Sequence, residues 1–131
     1  MARGRAAVAL LVPALAAVAV PALAGTPPDS GVRGRVTVYP TCPGPYPYPD
    51  GADCGPKGIA ATIKVKRLPE RELVKVIHSG EDGRYRTRLA PGHYRLRADP
   101  GEHAMYCDPR TITVEAHEFT QRGVGCDSGM R

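Results

Sequence analysis

Proline and glycine sit in this sequence as punctuation. They crowd into Pro27 to Gly31, Pro40 to Gly58, Pro91-Gly92, Pro100-Gly101 and Gly123 to Gly129. Between these clusters lie short stretches rich in Val, Ile, Tyr and Thr, with apolar residues at alternate positions and no helical period. Proline removes a backbone donor and glycine supplies the positive φ that tight turns need, so a chain divided at these intervals is restricted to short strands joined by turns.

The strand phases follow from alternation. GVRGRVTVY, residues 31–39, sets Val32, Gly34, Val36 and Val38 on one face and Arg33, Arg35, Thr37 and Tyr39 on the other. GIAATIKVK repeats the pattern, with Ile59, Ala61, Ile63 and Val65 inward and Thr62, Lys64 and Lys66 outward. LVKVIHS, RYRTRLA, HYRLRAD, RTITVE and EFTQRGVG complete a predicted all-β fold, a seven-stranded antiparallel β-sandwich with Greek-key connections. The expected core is Val32, Val36, Val38, Ile63, Val65, Val76, Tyr85, Leu89, Tyr94, Leu96, Ile112, Val114 and Phe119, light for a chain with one Phe and no Trp.

The first residues constrain the compartment. MARGR, the apolar run Ala6 to Val20 interrupted by Pro13, and the small residues Ala22 and Ala24 read as a signal peptide over residues 1–24. The run is shorter than the roughly 20 residues a spanning helix needs. The expectation is therefore a secreted, extracellular protein: residues 25–30 a flexible N-terminal segment, residues 31–131 one domain, and no transmembrane segment in the mature chain. Gly25 and Thr26 stand where a lipoprotein would carry its cysteine. Without Arg3 and Arg5, the mature chain has 16 basic against 13 acidic side chains, a balance that does not favour nucleic acid as a partner.

Four cysteines in a small exported chain imply two disulfides, with three possible pairings. If RTITVE and EFTQRG form a hairpin centred on Ala116-His117, opposed residues have numbers summing to 233, as Cys107 and Cys126 do. That leaves Cys42 with Cys54, closing the loop TCPGPYPYPDGADC. A metal site drawing on His103, Cys107, His117 and Cys126 is disfavoured, since there is no paired C-x-x-C and the histidines are scattered. No metal and no cofactor is expected.

The segment SGEDGRYRTRLAPGHYRLRAD, the start GVRGRVTV and the cysteine-bearing PTC after it resemble the carboxypeptidase regulatory-like domain, a transthyretin-like (prealbumin-like) β-sandwich, in its short exported bacterial form. In that family an Asp-Gly turn, a strand, a Pro-Gly corner and a second strand recur much as Glu81-Asp82-Gly83, Arg84 to Ala90, Pro91-Gly92 and His93 to Asp99 do here. The resemblance implies that the corner crosses between the two sheets. It also implies a carbohydrate-binding-like fold, which makes a glycan one ligand class to consider. Transthyretin-like hydrolases end in Tyr-Arg-Gly-Ser, whereas this chain ends Asp127-Ser128-Gly129-Met130-Arg131, so that activity does not carry over. With no asparagine, the Lys–Asn crosslink of related pilin domains does not carry over either.

No catalytic constellation emerges. Ser30, Ser79 and Ser128 lie in no G-x-S-x-G elbow, His117-Glu118 lacks a second histidine, and Glu81-Asp82 are adjacent turn carboxylates whose side chains diverge. An enzyme is not expected. The candidate ligand-binding residues are Tyr46 and Tyr48, on a loop stiffened by Pro43, Pro45, Pro47 and Pro49, and the arginines Arg84, Arg86, Arg88, Arg95 and Arg97. The Tyr-Pro bonds of the loop are candidates for the cis form. A tight turn at Pro91-Gly92 would set Arg88 opposite Arg95 and Arg86 opposite Arg97; a corner between sheets would send the two rows to opposite faces. The function this supports is a non-enzymatic binding or interaction module at or outside the cell surface, its partner a cell-surface glycan or another exported protein. The alternatives are a carbohydrate-binding module using the tyrosines and a binder of polyanions, such as a cell-wall polymer, using the arginine rows.

Overall fold

The structure, a computed structural model, describes residues 28–130. The expected signal peptide, residues 25–27 and Arg131 lie outside the described residues.

Alternation of valine with polar residues makes β1 (Gly31–Tyr39) the centre of the first sheet. β5 (Arg84–Arg88) and the two-residue β2 (Lys57–Gly58) pair antiparallel with β1. β9 (Phe119–Gln121) and β10 (Val124–Asp127) pair with it in parallel, and β7 (Tyr106–Cys107) extends the sheet beyond β10. The second sheet is antiparallel, in the order β4 (Glu72–His78), β3 (Thr62–Arg67), β6 (Gly92–Asp99), β8 (Arg110–Val114). A single turn of helix, Gly101–His103, leads from β6 toward β7. The molecule is all-β and two-layered as expected, but with ten strands rather than seven among the described residues, and with β1 parallel to β9 and β10 where an all-antiparallel arrangement was expected.

The core fills the space between the sheets. Val32, Val36, Ile63, Val65, Tyr94, Leu96, Ile112 and Val114 are buried, with Val38, Tyr85 and Leu89 at its margins. Val124, Ala98 and both members of the Cys107–Cys126 disulfide join them. Tyr94 can be this deep because its phenol is satisfied twice, donating to Ala90 O at 2.6 Å and accepting from Arg67 Nη2 at 2.8 Å. Packing begins before β1: Ser30 is buried, and its hydroxyl donates to Leu89 O at 2.7 Å.

Two expected core residues lie elsewhere. Val76 is 46% exposed, because β4 runs in the opposite phase, pairing Ile77 with Ile63 and Lys75 with Val65. A bulge between Val65 and Lys66 then shifts the register, leaving Leu73 opposite Lys66 and Leu73, Val74 and Val76 exposed. β4 is an edge strand, and inward Lys75 reaches across to Arg88 O at 3.0 Å, the kind of charge that blunts a free edge. Phe119 is the second correction: it is half-buried and outside the core cluster.

The expected hairpin between RTITVE and EFTQRG also needs correcting, because β8 and β9 belong to different sheets. The register it implied nevertheless appears at both ends of the excursion. Thr120 Oγ1 donates to Thr113 O at 3.0 Å across the corner, and Cys107 faces Cys126 in the β7–β10 ladder. Both disulfides, Cys42–Cys54 and Cys107–Cys126, are as expected, and none of the four cysteines is free.

Buried Ser79 ties the approach to β3 onto the end of β4. Its Oγ donates to Ile59 O and accepts from Ala61 N, both at 2.8 Å. Ser79→Ala removes both bonds and leaves a buried N–H without a partner, an expected loss of about 2 kcal/mol. That should lower the midpoint of thermal unfolding by roughly 10 °C; a melt within about 3 °C of wild type would show that the two bonds contribute little.

Candidate functional site

β5 lies beside the first half of β1, in a register that sets Arg33 opposite Arg86 and Arg35 opposite Arg84. Alternation points all four side chains outward, since their strand neighbours Val32, Val36, Tyr85 and Thr87 are buried. The result is a two-by-two block of guanidinium groups on the outer face of the first sheet. Directly opposed like charges destabilise a ladder. Here two such pairs are stacked along the same two strands.

Neighbouring groups hold this block in place. Arg35 Nε donates to Asp82 O at 2.8 Å, and Arg84 Nε lies 3.7 Å from Asp82 Oδ2, while Asp82 Oδ1 accepts from Arg84 N at 2.9 Å. Asp82 thus spends its acceptors on the rim of the block. Among the described residues, Arg33 and Arg86 have no carboxylate within ion-pair distance. Arg86 instead stacks on Phe119, its guanidinium carbon 4.0 Å from the ring centroid. The phenyl ring can lie there because its ladder partner is Gly31, where a Cβ would meet Phe119 Cε2 at 2.9 Å. Gln121, opposite Arg33, borders a shallow depression of about 750 Å³ lined by the four arginines. Underneath, the Tyr85 hydroxyl donates to Arg122 O at 2.5 Å, and burial pushes its pKa up to about 12 against the opposing pull of Arg122 and Arg110.

Further along the same face of β1 the chemistry changes from cationic to aromatic. Tyr39 is exposed at the end of the strand, about 20 Å from Arg33 at the rise of an extended chain. The proline-rich loop follows immediately, closed by Cys42–Cys54, and brings Tyr48 into contact with Tyr39. Desolvation and the neighbouring Tyr39 hydroxyl raise the Tyr48 phenol above its ordinary value. Tyr46 packs edge-on against Tyr48, with centroids 6.1 Å apart, and is 81% exposed. The bonds Tyr39-Pro40 and Tyr46-Pro47 are cis.

The structure therefore brings together some of the residues singled out from sequence and separates others. Arg84, Arg86 and Arg88 lie on β5 in the first sheet, while Arg95 and Arg97 lie on β6 in the second, because the Pro91-Gly92 corner crosses between sheets. Arg88 lies beyond the block, opposite Gly31. Arg33, Arg35, Tyr39 and Phe119 were absent from the sequence-derived set. Outward alternation of β1 already placed the first three, but only the pairing of β1 with β5 and β9 makes them a site.

An exposed ion pair lies beyond the far end, with His117 Nδ1 2.6 Å from Asp29 Oδ2. Their hydrogen bond raises the His117 pKa and lowers that of Asp29. Among the described residues no group of three or more His, Cys, Asp or Glu side chains converges as a metal site would require, and no helix is long and apolar enough to cross a membrane. Comparison with known proteins finds no matching family model and no matching curated protein.

Proposed function

We propose that this protein is an exported, non-enzymatic binding module that takes an acidic glycan along the outer face of β1. The observation that carries this reading is the continuity of the face: Arg33 and Arg35, opposed by Arg86 and Arg84, lead along one strand to Tyr39, Tyr48 and Tyr46. Planar guanidinium groups match carboxylate and sulfate in paired hydrogen bonds. Exposed tyrosine rings offer apolar faces with a polar tip, suited to pyranose rings and inexpensive in side-chain entropy. Neutral sugar would use only the aromatic half and a simple polyanion only the cationic half. An acidic glycan uses both.

Two disulfides suit an oxidising, extracellular compartment. The carboxypeptidase regulatory-like reading is supported by the Glu81-Asp82-Gly83 turn and by a Pro91-Gly92 corner that passes from one sheet to the other, as that family implies.

The test is titration calorimetry with polygalacturonate and with neutral dextran at two salt concentrations. Wild type should bind the acidic polymer, more weakly at high salt, and leave dextran unbound. Arg33→Gln/Arg86→Gln should weaken the binding event at the β1 face by about 100-fold or more, whatever binds elsewhere on the protein, as loss of two charge-assisted bonds implies. Tyr46→Ala/Tyr48→Ala should weaken it by roughly ten-fold. Equal binding of dextran, or binding indifferent to both double substitutions, would defeat the reading. Tighter binding of single-stranded nucleic acid, dependent on the arginines alone, would replace the ligand class.

A further inference from the structure

The opposite face of the sandwich repeats the arrangement with different strands. In the second sheet, β3 and β6 pair so that Lys64 faces Arg97 and Lys66 faces Arg95. Ile63, Val65, Leu96 and Ala98 alternate with them and are buried, so these four cations point outward, away from the first block. This is again a two-by-two block of directly opposed like charges, which a ladder selected only for stability would avoid. Arg71, in the turn between β3 and β4, adds a fifth cation beside Lys66, Arg95 and Arg97.

Carboxylates do not neutralise the block. Among the described residues none lies within ion-pair distance of Lys64, Lys66, Arg95 or Arg97. Asp99, beside Arg97 on the outward face of β6, borders the same depression as Lys64, Lys66 and Arg97 and accepts from Gly101 N at 3.0 Å, while Glu70 and Glu72 act on Arg67. Apolar and aromatic surface again adjoins the charge. Val76 and Leu73 are exposed opposite Lys64 and Lys66, and Tyr106 lines, with Lys64, Lys66 and Arg97, a depression of about 410 Å³.

We infer that the protein is bivalent, with the Lys64, Lys66, Arg95 and Arg97 block as a second acidic-glycan site, so that one molecule bridges two polymer chains. The ligand class rests on the reading of the β1 face; the second site stands on its own residues. Two outward faces of a two-layered sandwich point in opposite directions, and a chain lying along β1 cannot at the same time lie flat across β3 and β6. Occupancy of both faces therefore joins separate strands, or distant parts of one.

Polygalacturonate on beads and a fluorescent polygalacturonate oligomer in solution, too short to wrap the protein, test this. Wild type should be retained on the beads and should then capture the fluorescent oligomer. Lys64→Gln/Arg97→Gln, and separately Lys66→Gln/Arg95→Gln, should leave retention in place and lower capture at least ten-fold. Arg33→Gln/Arg86→Gln should likewise be retained, through the second face, and lose capture. Capture by the second-face variants at the wild-type level would overturn the inference, including the case in which a dimer with one site per chain does the bridging. An Arg33→Gln/Arg86→Gln protein that is not retained strikes the second site alone. Second-face variants that are not retained, beside an Arg33→Gln/Arg86→Gln protein that is, strike the β1 reading alone and with it the bridging.

Discussion

Gly83→Val should remove most of the protein's stability, so that it unfolds at a far lower denaturant concentration than wild type. Gly83 closes the turn before β5 with φ +86, in the left-handed region, and a Cβ there would lie 2.2 Å from Val36 O and 2.8 Å from Gly58 Cα. Both obstacles are backbone atoms and cannot rotate aside. Forcing a β-branched residue into that conformation costs about 1–3 kcal/mol, and the overlap adds about as much again. The substitution also pushes against the bond from Val36 N to Gly83 O at 2.8 Å, which joins the turn to the central strand. The two together, roughly 2–6 kcal/mol, are comparable with the whole stability of a small domain at the low end of the usual 5–15 kcal/mol. The measurement is a chemical denaturation curve followed by far-ultraviolet circular dichroism, with Gly80→Ala as the control. A Cβ at Gly80, in the same turn, meets only the Asp82 carboxylate oxygen at 3.1 Å, and the change should cost under about 1 kcal/mol. If Gly83→Val and Gly80→Ala unfold at the same denaturant concentration, the crowding at Gly83 is not what holds this turn.

The second large effect separates the two disulfides. The chain-entropy model assigns each about 3 kcal/mol, since the sequence separations of 12 and 19 differ little on a logarithmic scale. Their surroundings in the folded protein differ more. Cys107 and Cys126 are both buried in the core cluster and join β7 to β10. Cys42–Cys54 closes a largely exposed loop outside that cluster, with Cys54 buried and Cys42 half-buried. Cys107→Ala/Cys126→Ala therefore loses packed sulfur as well as the constraint, about 4 kcal/mol in all, or at least 15 °C in the thermal midpoint. Cys42→Ala/Cys54→Ala should lose less and should release Tyr48 from Tyr39, and Tyr46 with it, so that its effect shows as weakened glycan binding at a temperature where the sandwich is intact. Equal thermal shifts for the two pairs, with glycan affinity unchanged in the loop variant, would contradict this division.

What local pattern decides was legible in the sequence, and what distant pairing decides was not. The phase of β1 and of β3 follows from alternation alone, because each strand carries one apolar and one polar face. β4 breaks that rule: as a free edge with a bulge beside it, it leaves apolar side chains in solvent and turns a lysine inward. The Cys107–Cys126 pairing came from arithmetic on a hairpin that does not exist as a ladder. It held because the chain departs from and returns to the β7–β10 pair symmetrically about the corner near Ala116-His117. The arginine block could not be found this way. Arg33 and Arg86 are neighbours only because β1 and β5 are, and no local periodicity records which strands will meet. Phe119 was misplaced for the same reason, since its position over Gly31 depends on a parallel pairing between the two ends of the fold.

That pairing also orders events in time. β1 takes one of its two edges from β9 and β10, whose paired residues lie 88 positions further along the chain (Gly31 with Phe119, Val36 with Val124). A nascent chain thus carries Val32, Val36 and Val38 with half their lateral support missing until those two strands have been made. Such a high contact order makes folding slow and all-or-none. The first strand is locked in place only when β9 and β10 arrive beside it.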